Sequence, residues 1–346
     1  EPAIPTQAQT GASSSQERAT GRAWFALGVL GIAMVFGFID ARILVLLAQS
    51  IKTDLGLSDY QLGETHGLAP AIFLAVAMIP LAWLADRFER RTVLFGCVIF
   101  WSLATAASGL ATSFITLLAC TIAIVVGEAG VTPIVYSLIP DLFPPKSRPL
   151  ANILAYGATV LGAGIGTALG GALIHVAEAL RPVLPAPMQG LESWRLTFFL
   201  VAAPGPLVAL LVFMIGRTKR QAVTPTGAAV PIAPFWPYAK EHGLVALGTF
   251  GTMALLAFGL QAIANWLPVA LIRTFNAEAG SVGVNFGLSF TAGAAVGLIA
   301  ANLITPYARK VAGTAFVLRA VSIAAIAAIL LTVLFGVATA LWQAYV

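Results

Sequence analysis

Long apolar runs, separated by short polar turns, repeat along nearly the whole chain. A run of about 20 such residues is long enough to cross the hydrocarbon core of a bilayer as a helix. Nine are predicted, at 24–48, 62–85, 92–112, 114–139, 150–175, 196–216, 243–268, 281–305 and 313–338, and a tenth begins at Leu341, close to Val346. Composition agrees with that pattern. Of 346 residues, 59% are hydrophobic and 10% charged, whereas a soluble domain carries about 25% charged residues. The expected fold class is therefore an all-α integral membrane protein.

Charge supplies the orientation. Arg18, Arg22, Arg87, Arg90, Arg91, Lys146, Arg148, Arg217, Lys219, Arg220, Lys240, Arg309 and Lys310 fall in one set of connections, and Lys52, Arg181, Arg195 and Arg273 in the other. Thirteen against four puts the amino terminus in the cytoplasm. The net charge of +5 thus reads as orientation chemistry, with no nucleic-acid partner. Residues 1–22 are small and polar, a disordered cytoplasmic tail rather than a cleavable signal peptide. The connection 218–242 holds Pro225, Pro231, Pro234 and Pro237. It divides a six-helix bundle over 23–217 from a second bundle over 243–346. Cys97 and Cys120 sit at different depths and read as packing residues, not a disulfide.

A few polar side chains interrupt the apolar runs. Glu128 is the only charge between Phe114 and Ile139, and Asp40 lies at similar depth in the first run. A charge so placed costs upward of about 2.5 kcal/mol, so such residues are kept for a cavity, a proton or a partner. Two buried acids point to a proton-linked carrier. At about 100° per residue, Thr121, Glu128 and Thr132 share one stripe, with Tyr136 at its margin. Asp40 shares its face with Phe36, Gly37, Ile43 and Leu44, while Arg42 projects to the other side. There it reaches an acid, binds an anionic substrate group or snorkels outward. Gln261 and Asn265 lie on one face beside Trp266, next to a helix interruption expected at Pro268; together with Arg42, Thr132 and Tyr136 they are candidate substrate contacts. Gly162, Gly166 and Gly170 form a stripe for close helix crossing. Glu64 and His66 are expected to be solvated.

The segment Leu81 to Arg91 resembles the loop signature of the major facilitator superfamily. Asp86, Arg87, Arg90 and Arg91 match, while Ala82 and Glu89 replace two of its glycines. Trp194-Arg195 is also similar. The segments Ile51 to Gly63, Gly127 to Pro133, Asp141 to Pro149 and Asn265 to Phe275 narrow the resemblance to the spinster-like branch. In this chain Ala41 follows the first-helix acid, where that branch usually has arginine, and Arg42 comes one residue later. The resemblance implies two bundles with a cavity lined by the first and fourth helices, so that Asp40 and Glu128 approach each other. It implies a gate at Asp86, Arg87, Arg90 and Arg91, with Asp86 and Arg90 latching one conformation. Superfamily members have twelve helices, so the second bundle is expected to be incomplete here.

Nucleotide loops, His/Cys metal clusters and nucleophile elbows are missing from the sequence, so no enzyme activity, cofactor or metal is expected. The expected function is proton-coupled secondary transport in a membrane of the bacterial inner-membrane type. The partners are protons, membrane lipids and an amphipathic or anionic solute such as a lysolipid. An organic-anion carrier and a non-transporting scaffold or receptor are the alternatives.

Overall fold

The structure is a computed structural model and describes residues 19–216, 237 and 240–312. Its elements are helices: α1 (Gly21–Leu46), α2 (Ala48–Leu55), α3 (Asp59–His66), α4 (Leu68–Arg87), α5 (Arg90–Ser108), α6 (Phe114–Glu128), α7 (Val131–Leu142), α8 (Arg148–Leu180), α9 (Ala186–Gln189), α10 (Ser193–Ala202), α11 (Gly205–Met214), α12 (Gly243–Phe275) and α13 (Ala279–Ala312). Eight stretches are long and apolar enough to span a membrane: Gly21–Leu46, Asp59–Arg87, Arg90–Ser108, Phe114–Leu142, Arg148–Val183, Ser193–Met214, Phe250–Phe275 and Ala279–Ala300. They coincide with the first eight predicted runs. The ninth, 313–338, lies outside the described residues, as do most of the tail and of the linker.

Lipid offers no hydrogen bonds, so each spanning backbone must satisfy itself. Helix starts follow from local capping. Thr20 caps α1 by accepting from the Ala23 N–H, while Ser58 with Gln61 and Ser113 with Thr116 form capping boxes for α3 and α6. Three spans are each divided into two helices, where continuous runs were expected. A proline explains each division, because its ring lacks an N–H and crowds the carbonyl four residues earlier. Pro70 stands four residues after His66, where α3 ends; Pro133 follows the Ala129 cap of α6; Pro206 follows Ala202, where α10 ends. Pro268 behaves differently. The interruption expected there does not occur, and α12 runs through it as one helix of 33 residues.

The outer faces are hydrocarbon. Ile79, Leu103, Ile115 and Leu255 are each exposed by 66–75%, a surface whose natural solvent is lipid. Inside, small residues set the spacing. On α8, a Cβ at Gly166 would stand 2.8 Å from the Phe38 backbone, and one at Gly162 would meet the Phe38 ring at 3.0 Å. The predicted glycine stripe is thus the seat of α1. A second face of α8 has the same character: a Cβ at Gly171 would stand 2.5 Å from the Gly280 carbonyl oxygen, and one at Gly164 would strike Thr291. α8 is therefore held between α1 and α13, joining the first six spans to the last two.

Crossing distance is equally tight in the first bundle. A Cβ on Gly127 would lie 2.7 Å from the Trp101 Cβ, whereas Gly96 faces open space. Gly127→Val is expected to lower stability by about 1–3 kcal/mol through overpacking, and Gly96→Val to leave it nearly unchanged. Thermal unfolding of the purified protein in detergent checks both.

Candidate functional site

Two arrangements place the polar residues of the spans. The first is an acid pair between α1, α5 and α6. Asp40 is 3% exposed, and its Oδ1 accepts from the Thr105 hydroxyl at 2.8 Å. The same hydroxyl lies 3.0 Å from the Trp101 carbonyl. Glu128 ends α6 at the proline-induced division, and its carboxyl rests on α1, where a Cβ at Gly37 would stand 3.6 Å from Oε1. Gly37 and Asp40 are one turn apart on the same face. The two carboxyl groups are thereby brought within electrostatic range of each other. Asp40 Oδ2 and Glu128 Oε1 are both buried and have no hydrogen-bond partner among the described residues.

The rest of the predicted stripe is less unified. Thr121 is buried and donates to its own Leu117 carbonyl. Thr132, beyond the division, is exposed, and Tyr136 packs partly buried against the core. Toward the amino-terminal end of α1 lies a cavity of about 280 Å³, lined by Trp24, Leu27, Gly31, Met34, Val135 and Ala158 among others. Its lining is almost wholly apolar.

The second arrangement is a seam joining α1–α3 to α12. Arg42 turns neither to the acids nor outward. It donates to the Asn265 Oδ1 at 2.8 Å and to the Ala264 carbonyl at 3.3 Å. Proline explains the second bond: Pro268 cannot donate to Ala264, so that carbonyl is left free inside a continuous helix. Trp266 packs its ring against Gly63, and Gln261, one turn before Asn265, is exposed. His66 is not a solvated residue. Its ring bridges the Leu44 carbonyl of α1, at 3.0 Å, and the Leu62 carbonyl of α3, at 2.7 Å. Farther out, Arg273 binds Gln49 at 2.9 Å and Asp59 at 2.7 Å, and His175 of α8 meets Glu278 at 3.1 Å. All these cross-contacts gather at the end opposite Gly21.

The signature loop lies at the end near Gly21. Arg90 pairs with Asp141 at 2.5 Å and donates to the Ser137 carbonyl at 2.7 Å. Arg91 pairs with Glu89 at 2.7 Å, donates to the Phe213 carbonyl at 3.2 Å and covers the Phe213 ring. Arg87 stacks over Trp83. Arg90 and Arg91 therefore stand at the carboxyl ends of α7 and α11, where the helix dipole favours cations. Asp141 and Thr105 escaped the sequence reading. Asp141 carried a signal, being the first acid after an apolar run, whereas a threonine within such a run carried none.

Comparison with known proteins follows the same lines. Residues 27–346 match the family model described as Major Facilitator Superfamily. Over 286 residues the chain is 29% identical to an MFS-type efflux pump of Mycolicibacterium smegmatis, covering 80% of this chain and 61% of that protein. Over 263 residues it is 27% identical to the sphingosine-1-phosphate transporter of Danio rerio, covering 72% and 47% respectively. A solved bacterial homologue of the human lysosomal transporter Spinster, inward-facing and unoccupied, superposes with a TM-score of 0.71 at 30% identity, covering 84% of this chain and 64% of that one. The chain thus spans less than two thirds of the length of these relatives.

The Arg42 seam gives a direct test. Arg42→Met leaves the Ala264 carbonyl and the Asn265 amide oxygen without their donor, an expected loss of about 1–3 kcal/mol. Pro268→Ala restores an N–H to Ala264 and should recover part of that loss in the double variant. A thermodynamic cycle on thermal unfolding measures the coupling.

Proposed function

The chain belongs to the Major Facilitator Superfamily, in its spinster-like branch, and from that premise we propose that it works as a proton-coupled secondary transporter by alternating access. One observation carries the reading: Asp40 and Glu128 lie within electrostatic range, each with a buried carboxyl oxygen that no donor among the described residues meets. Two such charges in a low-dielectric interior repel each other, and binding a proton relieves that cost. Protonation then favours whichever conformation holds the pair more tightly, which is how a proton gradient biases a carrier between states.

In this reading the end near Gly21 faces the cytoplasm, in keeping with the excess of arginine and lysine there. The Arg42–Asn265 and Arg273–Asp59 contacts close the opposite end, giving an inward-facing state like that of the bacterial Spinster homologue. Opening the outer side requires Arg42 to leave Asn265 and the carbonyl it caps. That freed guanidinium then presents a cation toward an anionic group. Gln261, Asn265, Trp266, Thr132 and Tyr136 are the proposed neighbours of such a solute. The apolar cavity beside α1 begins about 9 Å from Asp40, from the helical rise between Met34 and Asp40. An amphipathic substrate with an anionic or zwitterionic head, of the lysolipid kind, suits both features. The Danio rerio relative, named for sphingosine-1-phosphate, is consistent with that class.

Proteoliposomes with an imposed pH gradient test the proposal. Uptake of a labelled lysolipid should follow the gradient in the unaltered protein. In Asp40→Asn and in Glu128→Gln it should fall to background while substrate exchange without a gradient persists. Gradient-driven uptake left intact in both variants would remove the acid pair from the mechanism.

A further inference from the structure

A third buried polar atom belongs with the acid pair. The indole Nε1 of Trp101 is buried and has no hydrogen-bond partner among the described residues, as is true of Asp40 Oδ2 and Glu128 Oε1. Trp101 is close to both acids. Its carbonyl shares the Thr105 hydroxyl with Asp40, and its indole lies near enough to act on the Asp40 carboxyl, although no hydrogen bond of acceptable geometry joins them. Its Cβ sits against Gly127, the residue before Glu128. Trp101 is fully buried, 0% exposed, so lipid headgroups and bulk water do not reach its N–H. Leaving a buried donor or acceptor unmet costs about 1–3 kcal/mol each, and three gathered in one place call for a common partner.

Donor and acceptor arithmetic identifies that partner. The indole only donates, and an ionised carboxylate only accepts. A guest must therefore accept one hydrogen bond and donate two. A water molecule does this, and about three bonds is the usual complement of a buried water. A sodium ion fits poorly, because the indole N–H would direct its positive end at the cation. We propose that Asp40, Glu128 and Trp101 hold a single ordered water, and that protons pass between the two acids through it.

The transfer balances without further reactants. A protonated Asp40 gives its proton to the water oxygen as the water gives one of its own to the Glu128 carboxylate. Asp40 is left ionised, Glu128 neutral and the water unchanged. Trp101 is thus a positioning residue: its N–H fills one acceptor position of the water, so that the other takes the Asp40 proton while a water proton faces the Glu128 carboxylate. The proposal rests on the proton-coupled reading for its functional role, but the water site itself stands apart from transport.

Difference infrared spectroscopy tests the site on the full chain in lipid nanodiscs. Spectra between neutral and acidic pH are recorded in ordinary water and in water enriched in oxygen-18. The unaltered protein should show an isotope-sensitive water O–H band, which is lost or displaced in Trp101→Phe and also in Asp40→Asn. The second variant keeps the inference falsifiable should Trp101→Phe fail to fold. Absence of that band, or a band unchanged in the variants, overturns the proposal. So does a spectrum that responds to sodium and not to choline at equal ionic strength. Gradient-driven uptake supplies the functional half: Trp101→Phe should slow it and move its pH profile while gradient-free exchange is kept. An unmoved pH profile overturns the relay even if Asp40→Asn abolishes uptake, so its failure is distinguishable from failure of the transport reading.

Discussion

A polar group stranded in hydrocarbon must find a partner, and the bond from Arg42 to the Ala264 carbonyl is this constraint in its plainest form. Pro268 withholds an N–H from α12, and an arginine on α1 supplies the missing donor. The helix continues unbroken through Pro268, with that substitution of one donor for another. At Pro70, Pro133 and Pro206 the spans divide, whereas Pro80 and Pro140 sit inside continuous helices. The Arg42 bond thus meets the carbonyl that Pro268 leaves free within α12. It also ties that carbonyl to the seam between the two sets of helices.

The two glycine faces of α8 give the complementary constraint, one of distance rather than polarity. Gly162 and Gly166 admit α1, whereas Gly164 and Gly171 admit α13. At Gly166 and Gly171 the nearest contacts are backbone on both sides, so there the crossing depends little on side-chain rearrangement. Dispersion and weak backbone contacts carry such packing in lipid, where the hydrophobic effect contributes nothing between helices. α8 is accordingly the element along which the two groups of spans move or stay fixed together.

Much of this was legible in the sequence. Run length marked the eight described spans, because hydrocarbon thickness and helical rise leave little freedom. Depth marked Asp40 and Glu128, and periodicity placed Gly37 on the face of Asp40, which is where α6 delivers its carboxyl. Opposite projection from α1 separated Arg42 from Asp40, as their partners on α12 and α5 reflect. What stayed hidden was most of the hydrogen bonding between distant segments. Arg90 meets Asp141, since the carboxyl end of α7 lies beside the loop in space. His66 looked like a surface residue, yet its ring reaches two backbone carbonyls across a helix junction. Proline could be read as a breaker, but Pro80, Pro140 and Pro268 all sit inside continuous helices, and the donor that meets the carbonyl freed by Pro268 lies far along the chain.

Thr105 carries one further consequence. Its hydroxyl owns a single hydrogen and stands between the Asp40 carboxyl and the Trp101 carbonyl. With Asp40 anionic, that hydrogen leans toward the acid. With Asp40 protonated on Oδ2, Oδ1 is a weaker acceptor, and the Thr105 hydrogen is free to swivel toward the peptide oxygen. Both charge states are thus accommodated by a rotor turning in place, with no heavy atom displaced, so a proton can come and go on Asp40 without loosening the packing between α1 and α5.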